Sequence, residues 1–197
     1  IEGNADLADL EWIRANQDAA REAWTRHQAA LDDLGARIHT PNGRMWTLAR
    51  VGDWVDAQAR AGHAVIAVDP VTAAKHSREQ YIEDEAFVLR VKTIAAKHGC
   101  RVLLVTHPRT GTKGRPTSGD MAGGAAYSRF PQCVLWLVMG QAESEVSGQF
   151  GRQIVQHNRT LRLCKTRNGR GQGMDVALQF GEGLRFGECG IIMGKAR

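Results

Sequence analysis

Four groups of residues have the types and spacing that phosphate chemistry uses. The first is Asp69, which closes GHAVIAVDP after the unbroken apolar run Ala64 to Val68. Such a run reads as a buried parallel strand, and ligands of open α/β sheets bind at the carboxyl ends of their strands. In nucleotide hydrolases an acid placed there orients Mg²⁺ and its water shell against the β- and γ-phosphates. The plain alternative is a strand that ends in an Asp-Pro turn. The second is His107, which follows another apolar run, CRVLLVT from Cys100 to Thr106, and so falls on the same sheet edge. An imidazole there can hydrogen-bond a γ-phosphate or its attacking water and report nucleotide state to the next loop. A His-Pro turn is the alternative.

The third group is the segment PRTGTKGRPTSGDMAGGAAYSRF that follows His107. Glycines such as Gly123 and Gly124 let backbone N–H groups approach phosphates, while Arg109, Lys113, Arg115 and Arg129 add sequence-independent attraction. Loops this long are functional or mobile, and the same composition also suits a solvated loop with no ligand. The fourth group is Lys165-Thr166-Arg167-Asn168-Gly169. Lys165 and Arg167 share side-chain parity along a strand and project to one face. Two cations at a hairpin tip suit the stabilisation of charge on a transferring phosphoryl group, above all across a subunit boundary. An inert basic tip is the alternative.

Alternating helices and strands must hold these groups. Asp6 to Leu34 carries apolar residues at helical spacing and predicts one or two amphipathic helices, followed by a short strand over Ala36 to His39. Thr47 to Ala61 predicts a helix ended by Gly62, and Asp84 to His98 another ended by Gly99. Helix, glycine, apolar strand and polar end residue thus occur twice, the pattern of a parallel sheet with right-handed crossovers. Gln132 to Met139 predicts a third apolar strand, and Gly140 to Gly151 a polar turn. TLRLCKT, NGRGQG and MDVALQF then alternate around a turn as an antiparallel hairpin does.

Composition narrows the class. The 197 residues are most simply one domain, with 26 Lys and Arg against 21 Asp and Glu for a net charge of +5. That balance suits a polyanionic partner. Cys100, Cys133, Cys164 and Cys189 form no CxxC pair and do not fit a zinc site; three of them sit in apolar, strand-like settings, which reads as reduced core cysteine in a cytoplasmic protein. No apolar run approaches the ~20 residues of a membrane span.

The series AVIAVDP, LLVTHPR, SGDMAGGAA, VLWL, LRLCKTRNGRGQGMDVALQF and LRFGE resembles the RecA-like motor core of hexameric DnaB-type replicative helicases and their phage and plasmid relatives. The match runs in order from about Ala64 to Glu188, and its most specific part, KTRNG, resembles the family's K-x-R-x-G arginine-finger hairpin. The resemblance implies an α/β fold, a RecA-like parallel-sheet core flanked by helices with a C-terminal antiparallel hairpin. It implies that Asp69 is the Mg²⁺-orienting Walker B acid, His107 the sensor, and Arg109 to Gly124 the DNA-facing loop. It also implies that Lys165 and Arg167 act in trans on a neighbour's ATP, within a homo-oligomeric, hexameric ring on single-stranded DNA.

The family's phosphate loop, G-x-x-x-x-G-K-[ST], does not occur among these residues. Ile1-Glu2-Gly3-Asn4 is compatible with the family's catalytic-glutamate motif, which makes Glu2 the residue expected to polarise the attacking water. The chain is then expected to start just after the phosphate-loop unit, as the remainder of a RecA-like ATPase domain. Two other functions fit the same residues: a DNA-binding loader or regulator that lacks the phosphate loop, and a RecA-like ATPase without unwinding activity.

Overall fold

The computed structural model describes residues 9–39, 45–75, 79–109, 111, 114–123, 125–149, 151–181 and 185–193. It shows a mixed α/β fold with a small parallel sheet and a larger antiparallel one. The chain divides into two compact units: Pro41–Leu135 with Leu163–Gly173, and Ile1–Thr40 with Trp136–Arg162 and Met174–Arg197.

Two helices of the second unit come first in the chain, α1 (Leu10–Ala15) and α2 (Gln17–Ala36). The Asp9 carboxylate caps α1 by accepting from the Glu11 N–H at 2.8 Å. The short strand expected over Ala36 to His39 does not form. Ala36 belongs to α2, and the Arg37 and Ile38 N–H groups bond back to the Leu34 and Gly35 carbonyls.

The first unit starts from another helix cap. The Thr47 hydroxyl accepts a hydrogen bond from the Arg50 N–H at 3.3 Å, and α3 runs Leu48–Arg60. Leu48, Val51, Val55 and Ala59 recur every three or four residues and are buried. The strand β1 (Val65–Val68) follows, then a 3-10 turn (Val71–Ala73) and helix α4 (Gln80–His98). Gly99 ends α4 in the left-handed region at φ 67°, and β2 (Arg101–Leu104) pairs in parallel with β1, Val65 opposite Arg101 and Val68 opposite Leu104. Helices α3 and α4 pack on each other and on these strands. Their shared core includes Val55, Ile66, Phe87, Val88, Val91 and Ile94, to which the short helix α5 (Ala126–Arg129) adds Ala126 and Tyr127. Truncating Phe87 to Ala costs about 3–5 kcal/mol by the usual measure of an emptied core.

Among the described residues, the helices cover one face of the parallel sheet. Ile66 is buried, and Val68, Val102 and Leu104 pack on the core. On the other face Val65 is 68% exposed and Leu103 52% exposed. The apolar runs predict strands buried on both sides. Instead the described sheet has two strands, with its helices on one side.

The run from Gln132 to Met139 does not extend that sheet. It opens β3 (Cys133–Gly148), which turns into β4 (Gly151–Thr166). The polar turn expected over Gly140 to Gly151 is therefore largely strand. Its polarity reflects alternation: Glu143 and Glu145 are exposed, while Ser144 is half-buried and Val146 is fully buried.

The second unit holds most of these strands. β4 pairs antiparallel with β5 (Asp175–Gly181), Arg159 opposite Leu178 and Arg162 opposite Asp175. This is the hairpin that the alternating residues predict. β5 pairs with β6 (Arg185–Ile192), and β6 returns to β3 at Val146 and Ile192, closing a barrel. Its buried side chains include Val146, His157 and Ala177. Gly190 is obligatory at the closure: φ is 132°, and a Cβ would stand 2.8 Å from the Ser147 carbonyl oxygen.

Candidate functional site

The parallel register brings Asp69 and His107 to one edge. The Val105 N–H donates to the Val68 carbonyl and the Val71 N–H to the Val105 carbonyl, each at 2.9 Å. Asp69 is thereby held between two backbone bonds at the carboxyl end of β1, facing Val105, and His107 follows two residues later on the strand β2 side of the same edge. Both side chains are exposed. Among the described residues, neither makes a side-chain hydrogen bond or ion pair. A single open carboxylate fits the way Mg²⁺ is held with a triphosphate, by one or two carboxylates and the phosphates themselves. No set of three His, Cys, Asp or Glu groups converges among the described residues.

The loop after His107 is closed at its base by its own backbone. The Arg109 N–H donates to the Asp120 carbonyl at 2.8 Å, and the Ala122 N–H to the His107 carbonyl at 2.7 Å. Arg109 Nε also donates to the Met121 carbonyl at 3.1 Å. Further out, the Asp120 carboxylate accepts from both the hydroxyl and the backbone N–H of Thr117, each at 2.7 Å. These Thr117 bonds, the hydroxyl's first, hold the Asp120 carboxyl below the usual carboxylate range, with a smaller share from the Arg109 charge. The buried Pro116 carbonyl accepts the Cys164 thiol at 3.7 Å. Arg115 is exposed on this closed loop.

Where the loop ends, a buried pair fixes it. Tyr127 and Asp84 are both buried, and the phenol donates to the carboxylate at 3.0 Å. Burial, then the Asp84 charge and the hydrogen bond, push the Tyr127 phenol well above its ordinary value, so it stays a donor. Gly123 lies against this ring: at φ 98°, an added Cβ would stand 2.8 Å from two ring carbons.

Lys165 and Arg167 do project to one side, as their parity predicts, and both reach the end of α5. Lys165 Nζ donates to the Ser128 and Arg129 carbonyls, each at 2.7 Å. The Arg167 guanidinium donates to the Arg129 carbonyl, and the Arg167 N–H to the Gln132 carbonyl at 2.9 Å. The last carbonyls of a helix lack partners within it, and cations are favoured at that end.

Of the residues expected at the site, Glu2, Lys113 and Gly124 lie outside the described residues. The structure places Asp69 and His107 at one edge of the parallel sheet, and brings Lys165 and Arg167 together on the Arg129 carbonyl. Sequence reasoning misses two participants, Asp84 and Tyr127. Asp84 had a signal, since positions 84, 87, 88 and 91 share one helical face and the other three are apolar. No protein-family model matches the chain, and no curated protein matches it. No helix among the described residues is long and apolar enough to cross a membrane.

Proposed function

We propose that these residues form part of a RecA-like motor of the DnaB type, an ATP-driven helicase that works as a ring on single-stranded DNA. The observation that carries the reading is the shared edge of Asp69 and His107, with a glycine-rich basic loop closed onto the His107 carbonyl. Such an edge can join a nucleotide on one side to a polyanion on the other.

On this reading Asp69 orients the Mg²⁺ that enters as Mg-ATP, the substrate, and leaves with the products. His107 hydrogen-bonds the terminal phosphate or the attacking water, and its carbonyl bond to Ala122 ties any movement to the loop base. Arg109 and Arg115 face the DNA backbone together with glycine N–H groups. Lys165 and Arg167 stabilise charge on the phosphoryl group of the adjacent subunit's ATP, which makes a ring with one site per interface the natural assembly. The sequence of these 197 residues contains no G-x-x-x-x-G-K-[ST], so the grip on the β- and γ-phosphates is supplied from outside them.

The test is hydrolysis and strand displacement by the protein in its native assembly, with and without single-stranded DNA. DNA should stimulate hydrolysis, and forked duplex should be opened in its presence. Hydrolysis indifferent to DNA, or unaffected by Arg167→Ala, would refute the reading.

A further inference from the structure

Helix α4 buries one face and leaves the opposite one bare. Asp84, Phe87, Val88, Val91 and Ile94 are buried in the first unit. On the other side Ile82, Ala86, Leu89, Thr93 and Ala96 follow one another at intervals of three or four residues, and all five are exposed. The elements that pack on α4, namely α3, α5 and β2, leave Ile82 64% exposed and Leu89 39% exposed. A groove runs along the C-terminal half of this stripe, lined by Leu89, Lys92, Thr93, Ala96 and Lys97. A bare apolar stripe with a charged border is the usual form of a surface that meets another protein.

The border says which protein. Glu85 and Lys92 lie seven residues apart on one flank of the stripe, nearly in line along the helix. They are too far apart to pair with each other, because helical partners stand three or four residues apart. Both are exposed, and among the described residues neither makes an ion pair. The other flank carries Lys97 and Arg90, of which Arg90 pairs with Asp53 at 2.6 Å. Turning the helix end for end about Leu89 exchanges the positions of Glu85 and Lys92. A second α4 laid antiparallel on the first therefore sets Glu85 against the partner's Lys92 and Lys92 against the partner's Glu85. Leu89 then lies near the two-fold axis, and Ile82 lies over the partner's Ala96.

We propose that this face of α4 is a contact between two copies of the chain, packed antiparallel about a two-fold axis. Charge complementarity selects the occupant, since the flank matches its own reverse, as an isologous interface requires. The stripe from Ile82 to Ala96 is about 21 Å long at the helical rise per residue. A contact of that length is at the small end of specific interfaces, so the association is reversible rather than obligate. A ring is built from head-to-tail contacts, so this surface is separate from the ring interfaces proposed above and does not rest on that reading.

Sedimentation equilibrium of the chain without nucleotide or DNA, over micromolar to submillimolar concentrations, tests the contact. Wild type should show a reversible monomer–dimer equilibrium. Glu85→Lys and Lys92→Glu should each weaken it about tenfold or more, because each puts two like-charged pairs in place of two opposite ones. Lys97→Ala, on the other flank, should change it little. Mixed in equal amounts, the two charge-reversed variants should associate with about wild-type affinity, since the charges across the seam are then opposite at every contact. A defect in folding would not be rescued by mixing. A monomer at every concentration, a dimer indifferent to Glu85→Lys, or a mixture that associates no better than either variant alone would overturn the proposal. A larger assembly that survives both charge reversals would support the ring and overturn this contact. Loss of DNA-stimulated hydrolysis, measured separately, would refute the motor reading while leaving a measured dimer intact.

Discussion

The Tyr127 hydroxyl donates to the Asp84 carboxylate at 3.0 Å, and both side chains are buried. This bond joins α4, which follows β1, to α5, which follows the loop after β2. Removing the hydroxyl takes a donor from a buried carboxylate, a change worth about 1.5–3 kcal/mol. Tyr127→Phe should therefore lower stability by about that amount in urea unfolding. Gly123→Ala should be worse for the loop, since the new methyl meets the Tyr127 ring in a left-handed backbone. It should weaken single-stranded DNA binding in a fluorescence titration while helix content by circular dichroism stays constant.

The Asp120 turn should respond to acid in a defined direction. Its native carboxyl titrates below the ordinary value of 3.8, so the turn's stabilisation is in place above that value and is lost as pH falls through the native one. Hydrogen exchange at the Thr117 and Gly119 amides should stay slow at pH values down to about 4 and accelerate only in stronger acid. Asp120→Ala should remove this acid step and exchange fast throughout.

Arg109 and Arg115 should contribute to DNA affinity without sequence preference. Replacing each by Ala should reduce the slope of log affinity against log salt by about 0.7 for every phosphate of a single strand that is no longer neutralised. Binding isotherms over a range of salt concentrations measure it. An unchanged slope would place DNA elsewhere.

Asp69 is exposed and makes no side-chain hydrogen bond or ion pair among the described residues, so its role in folding is small. Asp69→Asn should shift stability by no more than about 0.5 kcal/mol, while Mg-dependent hydrolysis falls by about 100-fold or more. Loss of both together would make Asp69 a structural residue.

What the sequence made legible follows the range of its signals. Local periodicity located α3 and α4, glycines marked their ends, and alternation found the β4–β5 hairpin with its cations at the tip. The shared edge of Asp69 and His107 followed from two repeats of one local pattern. Apolar runs failed where burial was tertiary: Val65 and Leu103 are as hydrophobic as their neighbours but lie on an uncovered face. The polar stretch from Gly140 hid a strand because a strand with one solvated face looks like a loop in composition. The partners of Lys165 and Arg167 are backbone carbonyls more than thirty residues away, and backbone groups carry no residue-type signature.

The central claim is that Arg167 completes the phosphate site of a neighbour, and mixing two inactive variants tests it most directly. Arg167→Ala keeps Asp69, and Asp69→Asn keeps Arg167. Each alone should hydrolyse ATP poorly, the first by about 10³-fold or more if Arg167 acts as an arginine finger. Co-assembled, they create interfaces where an intact Asp69 faces an intact Arg167. DNA-stimulated hydrolysis should then recover to a fraction set by the mixing ratio. Full activity in the Arg167→Ala protein, or no recovery in assemblies shown to contain both variants, would contradict it.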